Sequence, residues 1–155
     1  MSEIIKYNKE ELLAMMPQQP PYLFLDSAEI DGGAVRASYR ITGDEFFLKG
    51  HFPGNPVFPA SVMLEALGQA AIVKLMCGNF DSSKKRADKT KIFFTSADGV
   101  KCSRMCRPGE TLDFEIRLKV CRYPMAVFEG KLSVGGKIAA FAEKITLIFD
   151  YLKDE

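Results

Sequence analysis

The side chains best suited to acid–base chemistry are His51, the only histidine among the 155 residues, and Glu65. His51 lies between Gly50 and a loop rich in proline and glycine, which leads into the apolar segment 62–76. Glu65 lies within this segment, four residues before Gln69, so both share one face of the helix that the apolar residues predict. A bare ionised carboxylate is unfavourable in such surroundings, so we expect a strongly perturbed pKa for Glu65. Proton transfer is the chemistry that this pair could perform.

The composition is typical of one soluble globular domain, residues 1–155. Lys and Arg total 21 against 20 for Asp and Glu, so no excess of positive charge is available to attract nucleic acid. The longest apolar stretch, residues 66–77, is interrupted by Gln69 and Lys74 and is too short to span a bilayer. We therefore expect neither a nucleic-acid partner nor insertion into a membrane.

The cysteines do not have the spacing of a metal site. They form no C-x-x-C pair, and His51 is distant in sequence from all four, which are Cys77, Cys102, Cys106 and Cys121. The first 16 residues lack the basic start, the uninterrupted apolar core and the cleavage site of a signal peptide. We therefore predict four reduced thiols, no bound metal and a cytoplasmic location.

The first third of the chain indicates a short helix followed by two strands. Asn8 and Glu11 have the spacing of a reciprocal N-cap, and Pro17 ends the helix that follows. Residues 22–26 and the alternating residues 35–41, separated by two glycines, predict two strands joined by a turn. After a loop over 42–59 comes the buried helix 62–76, which should end near Gly78.

The remainder of the chain indicates an antiparallel sheet. A polar connection over 79–90 leads to a strand at 91–97, and alternating residues over 112–120 predict a strand with one apolar face. Residues 126–134 and 137–149 flank two glycines and predict a hairpin. Five or six antiparallel strands with one long apolar helix indicate an α+β fold in which a curved sheet wraps the helix. Because one sheet leaves a side of the helix uncovered, we also expect a dimer.

The segment from Gly50 to Pro59, with Glu65, Ala66 and Gln69 at their present spacing, resembles the active-site segment of a known enzyme family. This family is the 3-hydroxyacyl-[acyl-carrier-protein] dehydratases of fatty acid synthesis, the FabZ type. The resemblance continues over nearly the whole chain, including residues 16–26, although Gln18 stands where a histidine is common. Further similar segments are Phe93–Phe94 with Asp98, residues 104–110 and residues 128–142.

The resemblance implies the hotdog fold, working as a homodimer or a trimer of dimers. It also implies that His51 of one subunit faces Glu65 of another across the dimer interface. The reaction would remove water from a 3-hydroxyacyl thioester to yield a trans-2-enoyl thioester, with His51 as the base and Glu65 as the acid. The substrate would be carried by acyl carrier protein, and no cofactor or metal would be needed.

The resemblance also assigns residues to substrate binding. Ala60 stands where a helix-start glycine usually holds the thioester oxygen through its N–H, and the alanine narrows the approach and lacks glycine's freedom at positive φ. We expect Phe58 and Phe94 to line the acyl tunnel and Gln69 to play a supporting, hydrogen-bonding role. The resemblance also implies that two basic residues near the tunnel mouth contact the acidic carrier protein. They are Lys101 and Arg104.

Two other functions are compatible with such a fold. An acyl thioesterase would use a carboxylate or a positioned water without the loop histidine, so the pairing of His51 with Glu65 argues against it. A non-catalytic acyl-binding subunit is supported only by Ala60. A related branch that also isomerises the double bond usually carries aspartate at the position of Glu65, so glutamate favours simple dehydration. The sequence determines neither the acyl chain length that the enzyme prefers nor the pathway that supplies its substrate.

Overall fold

The computed structural model describes residues 3–153, which form one antiparallel sheet around one long helix. The sheet has seven strands among the described residues, in the order β1-β2-β3-β5-β6-β7-β4. In chain order the elements are β1 (Ile4–Tyr7), α1 (Lys9–Met15), β2 (Ser27–Asp31), β3 (Ala34–Arg40), a 3₁₀ turn (Phe46–Lys49), α2 (Ala60–Met76), β4 (Phe93–Cys102), β5 (Thr111–Arg122), β6 (Met125–Val134) and β7 (Lys137–Ile148).

The predicted N-cap of the first helix is confirmed. The Asn8 side-chain oxygen accepts a hydrogen bond from the Glu11 N–H at 2.9 Å, and the Asn8 N–H donates to the Glu11 carboxylate at 3.1 Å. These bonds satisfy two of the backbone donors that a helix start leaves without partners. The helix ends at Met15, just before Pro17, as predicted.

The central helix α2 begins at Ala60, two residues earlier than predicted, and is buried over most of its circumference. It packs on β2, β3, β5, β6 and β7, so one sheet covers most of it. Gly78 follows its end with φ of +75°, the left-handed conformation predicted for this glycine. This enclosure confirms the α+β class and the arrangement of a sheet wrapped around one helix. No helix within residues 3–153 combines the length and apolar character needed to cross a membrane.

One strip of α2 remains uncovered, at its N-terminal half. Ala60 and Ser61 are exposed, and Leu64 and Glu65 are half-buried. At 3.6 residues per turn these four positions lie on one side of the helix. The expectation that one sheet leaves a side of the helix open therefore applies to this strip and not to the whole helix.

The strand predictions were wrong in three places. Residues 22–26 form no strand, because the Phe24 N–H donates to the Gln69 side chain of α2 and not to a neighbouring strand; the strand follows at Ser27–Asp31. The short strand β1 was missed, because its exposed residues pair with β2 through backbone groups without an alternating apolar pattern. The strand predicted at 91–97 continues to Cys102 as β4. The sheet consequently has seven strands and not five or six.

The helix contains two buried polar side chains, and both have hydrogen-bond partners. Lys74 donates to the carbonyls of Gly32 at 2.7 Å and Asn79 at 3.0 Å, and so connects the C-terminal end of α2 to the β2–β3 turn. Gln69 bonds to the backbone of residues 22–24. Both observations follow the rule that buried polar groups require partners.

Gly130 on β6 faces tightly packed side chains of the sheet and of α2. A methyl group at Gly130 would lie 2.6 Å from Cδ1 of Ile116 and 3.3 Å from both Cδ1 of Ile145 and Cδ2 of Leu67. Real side chains essentially never approach to 2.6 Å, so the core would have to move.

We predict that Gly130→Ala destabilises the protein, because overpacking costs about 1–3 kcal/mol and exceeds the roughly 0.5–1 kcal/mol that alanine gains over glycine in a strand. Gly33→Ala is the matched control, since a methyl group there meets no atom within 4 Å and the φ is not in the left-handed region. Urea unfolding of both variants measures the difference. Equal stability of the two variants would contradict tight packing around Gly130.

Candidate active site

His51 lies directly after the 3₁₀ turn, in a loop whose backbone folds back on itself. The His51 N–H donates to the Leu48 carbonyl at 3.2 Å, and the His51 carbonyl accepts from the Val57 N–H at 2.8 Å. The imidazole Nδ1 lies 2.8 Å from the Val57 carbonyl oxygen, and the ring stacks on Phe52 with centroids 4.0 Å apart. The ring is therefore held by its own loop.

The Val57 contact determines which imidazole nitrogen can act as a base. A carbonyl oxygen only accepts hydrogen bonds, so Nδ1 must carry the proton in this contact. In the neutral ring the lone pair is then on Nε2, which is the nitrogen left to accept a proton from a substrate.

His51 opens onto a cavity of about 510 Å³ with mostly apolar walls. Of the expected site residues it brings together His51, Phe58, Ala60 and Arg104. The complete lining is His51, Phe52, Val57, Phe58, Ala60, Met63, Cys102, Ser103, Arg104 and Met105. An apolar cavity with one imidazole and one cationic side chain can accommodate an acyl chain.

Several residues that line the cavity were not predicted from the sequence. One lies on a helix and others lie in irregular chain. Met63 lies three residues after Ala60 on α2, so helical periodicity could have placed it on the same face. Met105 and Ser103 lie between β4 and β5 in irregular chain, where no periodic signal exists. Their position in the cavity wall depends on how the chain between β4 and β5 passes the N-terminal end of α2.

The N-terminal end of α2 also faces this cavity, through Ala60. Pro59 precedes it and supplies no side-chain cap, so the first N–H groups of the helix have no side-chain acceptor. These donors, with the positive end of the helix dipole, suit a developing negative charge on a thioester oxygen. Among residues 3–153 the only non-glycine residue at positive φ is Lys84, so Ala60 needs none of the freedom that glycine would offer.

Gln69 orients Glu65 and does not line the cavity described above. Its Oε1 accepts from the Phe24 N–H at 2.8 Å, and its Nε2 donates to the Tyr22 carbonyl at 3.0 Å. These two bonds determine the orientation of the amide, and Nε2 also donates to Glu65 Oε2 at 2.9 Å. The supporting role expected for Gln69 corresponds to these contacts. Because Oε2 receives this N–H, the carboxyl proton of neutral Glu65 belongs on Oε1.

The pKa of Glu65 is raised above the ordinary glutamate value. Burial against apolar surface is the dominant cause, and the hydrogen bond from Gln69 lowers the pKa and offsets part of the rise. Within residues 3–153 no Lys or Arg forms an ion pair with Glu65. The carboxyl group therefore retains its proton to higher pH than an exposed glutamate would, as a general acid requires.

Four expected site residues do not line this cavity, namely Gln69, as described above, and the three that follow. Glu65 is not among the residues that line the cavity, and neither is Phe94, whose ring lies against Gly68 of α2. Lys101 is exposed on the outer face of β4. Arg104 lines the cavity but donates to Glu110 at 2.6 Å, so its guanidinium is already paired.

Comparisons with known proteins agree with this architecture. Residues 21–143 match the family model described as the FabA-like domain. The chain is 34% identical over 142 residues to the 3-hydroxyacyl-[acyl-carrier-protein] dehydratase FabZ of Thermomicrobium roseum, covering 90% of this chain and 91% of that protein. It is 35% identical over 146 residues to the protein of the same name from Enterococcus faecalis, covering 93% and 99%.

A solved structure shows the same hotdog fold. The dehydratase heterocomplex ApeI:P from Xenorhabdus doucetiae superposes with a TM-score of 0.70 and 19% identity, covering 88% of each chain. At this identity the likeness concerns the fold alone.

We predict that Glu65→Gln is at least as stable as the unmodified protein at neutral pH. Because the folded-state pKa of Glu65 is raised, its contribution to stability falls as pH rises above the ordinary glutamate range, and glutamine lacks that decline. The measurement is the melting temperature of both proteins across pH.

Glu110→Gln is the control, because the contribution of Glu110 to stability should change with pH in the opposite direction. The hydrogen bond from Arg104 holds the pKa of Glu110 below its usual range, so its stabilisation is present at neutral pH and is lost on acidification. A loss of stability in Glu65→Gln at neutral pH would instead indicate that Glu65 is held in a structural ion pair.

Proposed function

The chain belongs to the FabZ-type dehydratase family, and from this premise we propose that it removes water from 3-hydroxyacyl thioesters with His51 of one subunit and Glu65 of another. The observation that carries the proposal is the imidazole itself. Its Nδ1 is bonded to Val57, so Nε2 presents a lone pair to an apolar cavity at the start of α2. The product is a trans-2-enoyl thioester.

The elimination balances with these two side chains alone. Nε2 of His51 takes a proton from the carbon next to the thioester carbonyl, and the electron pair forms the carbon–carbon double bond. The bond from the next carbon to the hydroxyl oxygen breaks, and Glu65 donates its proton to that oxygen, which leaves as water. Transient negative charge on the thioester oxygen is stabilised by the N–H groups at the start of α2.

A second copy of the chain supplies Glu65 to the cavity. Within one chain Glu65 lies on the uncovered strip of α2, outside the residues that line the His51 cavity. The strand β4, ten residues long, forms one edge of the described sheet and leaves a row of backbone groups unpaired. Pairing β4 with its counterpart across a two-fold axis would join two sheets and place the uncovered strips side by side. We therefore propose a homodimer, alone or within a trimer of dimers.

The substrate reaches the site on acyl carrier protein, which is acidic. Lys101 lies one residue before Cys102 of the cavity wall, and its side chain is exposed on the outer face of β4. Arg104 is paired with Glu110, so it stabilises the turn before β5 as well as lining the cavity. Lys101 is accordingly the clearer candidate for carrier contact.

We propose further that the whole chain, residues 1–155, acts as this single catalytic domain in the cytoplasm. Four free thiols, at Cys77, Cys102, Cys106 and Cys121, favour a reducing compartment. The proposed reaction needs no cofactor, because both of its proton transfers are assigned to side chains.

We predict that His51→Ala and Glu65→Gln each lower dehydration of 3-hydroxyacyl thioesters by about 100- to 10,000-fold, the usual contribution of one acid or base. Enoyl absorbance measures the reaction. Release of free thiol without enoyl product would indicate a thioesterase instead, and absence of both would favour an acyl-binding subunit.

Mixing the two inactive variants tests whether the site is shared between subunits. A dimer with one His51→Ala chain and one Glu65→Gln chain contains one intact His51–Glu65 pair. Random reassociation should restore about a quarter of the unmodified activity, since half of the dimers are mixed and each has one working site of two. No recovery in verified mixed dimers would place both residues of each site in the same chain.

We predict that Lys101→Glu raises KM for carrier-bound substrate by several-fold and leaves KM for a small thioester surrogate unchanged. The physical reason is loss of attraction for the acidic carrier, which should weaken further as salt is raised. Lys89→Glu is the matched control, because Lys89 is exposed beside Met76, at the other end of α2. An equal effect of both variants would exclude a local docking contact.

A further inference from the structure

The loop that carries His51 has an exposed tip, which is a tight turn over residues 52–55. The Phe52 N–H donates to the Asn55 carbonyl and the Asn55 N–H donates to the Phe52 carbonyl, both at 2.9 Å. Gly54 takes the left-handed position of this turn, with φ of +69°. All four residues are exposed, so burial does not hold the turn in place. A fixed position for the tip requires a contact from outside the loop.

Arg107 supplies such a contact. Its Nη1 donates to the side-chain oxygen of Asn55, 52 positions earlier, at 2.6 Å, and its Nη2 lies 3.9 Å from Sδ of Met105. A hydrogen bond from a guanidinium is charge-assisted and therefore stronger than one between neutral groups. Because Met105 is part of the cavity wall, one guanidinium contacts both the turn and the wall.

Glu110 holds Arg107 in place. The Arg107 N–H donates to Glu110 Oε1 at 2.8 Å, and the Glu110 N–H donates to the Arg107 carbonyl at 3.1 Å. The other carboxylate oxygen, Oε2, accepts from Arg104 at 2.6 Å. The side chain that reaches Asn55 therefore extends from a backbone that is itself fixed.

The bond from Arg107 complements two backbone hydrogen bonds at the ends of the loop. The His51 N–H donates to the Leu48 carbonyl at 3.2 Å, and the Phe58 N–H donates to the Cys106 carbonyl at 2.8 Å. Within residues 3–153, the bond from Arg107 is the only hydrogen bond that joins the turn to another part of the chain. Without it, the loop would be anchored at its ends and free at its tip.

We propose that Arg107 is a positioning residue for His51, which it holds through Asn55 and the turn. The imidazole stacks on Phe52, so the ring follows the position of the turn. This inference rests on the proposed dehydration, because it concerns the placement of the base for that reaction. A displacement of about 1 Å at a reacting group lowers the rate by about 100-fold, whereas an exposed polar contact contributes little to stability. The contact should therefore affect turnover much more than unfolding.

The test is Arg107→Met, which keeps an unbranched side chain and removes the guanidinium. With a small thioester surrogate we expect kcat to fall by about 10-fold or more and KM to change by less than about twofold. The surrogate excludes any lost attraction for an acidic carrier. Arg117→Met is the matched control, since Arg117 is also exposed but contacts Glu115 on the outer face of β5. Its kcat should equal that of the unmodified protein.

A second measurement does not depend on turnover. His51 is the only histidine, so carbethoxylation by diethyl pyrocarbonate, followed by the absorbance of the modified imidazole, reports this ring alone. A loop that is free at its tip should expose the ring more often. We expect Arg107→Met and Asn55→Ala to be modified several-fold faster than the unmodified protein, and Arg117→Met to be modified at the unchanged rate.

A double-mutant cycle tests the contact itself. Asn55→Ala removes the acceptor but leaves the backbone hydrogen bonds of the turn, so it should lower kcat as much as Arg107→Met does. The double variant should be no slower than either single variant. Asn55→Asp retains an acceptor for the guanidinium and should keep kcat within about twofold, but it should not rescue Arg107→Met.

The outcomes separate this inference from the proposed function. If the unmodified protein dehydrates no 3-hydroxyacyl thioester, the proposed function fails, whereas the modification rates still test whether Arg107 holds His51. If folded Arg107→Met keeps either the unmodified kcat or the unmodified modification rate, Arg107 does not position His51. Equal losses in Arg107→Met and Arg117→Met, or losses that multiply in the double variant, would also overturn the inference.

Discussion

The structure depends on one constraint, which is that the sheet encloses α2 almost completely. Every polar group on the enclosed part of the helix must then find a partner or remain uncharged. Lys74 donates to two backbone carbonyls at the C-terminal end, and Gln69 bonds to backbone groups of residues 22–24 in the middle. Glu65 has one hydrogen bond and no ion pair within residues 3–153, so burial raises its pKa. Even on the strip that the sheet leaves uncovered, Glu65 is half-buried, and this partial burial favours the protonated form that the proposed general acid requires.

The site combines groups from structures that differ in rigidity. Glu65 and the free N–H groups at the start of α2 belong to a helix that is packed on five strands. His51 belongs to a loop, but its backbone and ring contact Val57, and its ring also stacks on Phe52, so the loop itself orients the imidazole. The proposed base and acid must each be placed to within a fraction of an ångström, and the hydrogen bonds that close the His51 loop supply this placement for the histidine.

The uncovered side of α2 and the exposed residues of β4 bear on both assembly and substrate binding. The uncovered strip of α2 and the face of β4 that carries Val100 and Cys102 both begin at the His51 cavity, through Ala60 and Cys102. In a single chain both leave apolar side chains exposed, which is unfavourable in water. A second subunit and an acyl chain would both remove this exposure. Assembly and substrate binding thus satisfy the same physical requirement.

The sequence by itself determined the helix α2, its end at Gly78, the capped helix α1 and the α+β class, because periodicity and cap residues are local signals. The motif around His51 and Glu65 also identified the enzyme family. Residues 22–26 were misassigned, because a side-chain bond from Gln69, 45 positions later, replaces a strand partner there. Only the tertiary structure decided which nitrogen of His51 is free, why Met105 reaches the cavity and how Phe94 meets Gly68. These facts depend on contacts between residues far apart in the chain, and no local pattern encodes such contacts.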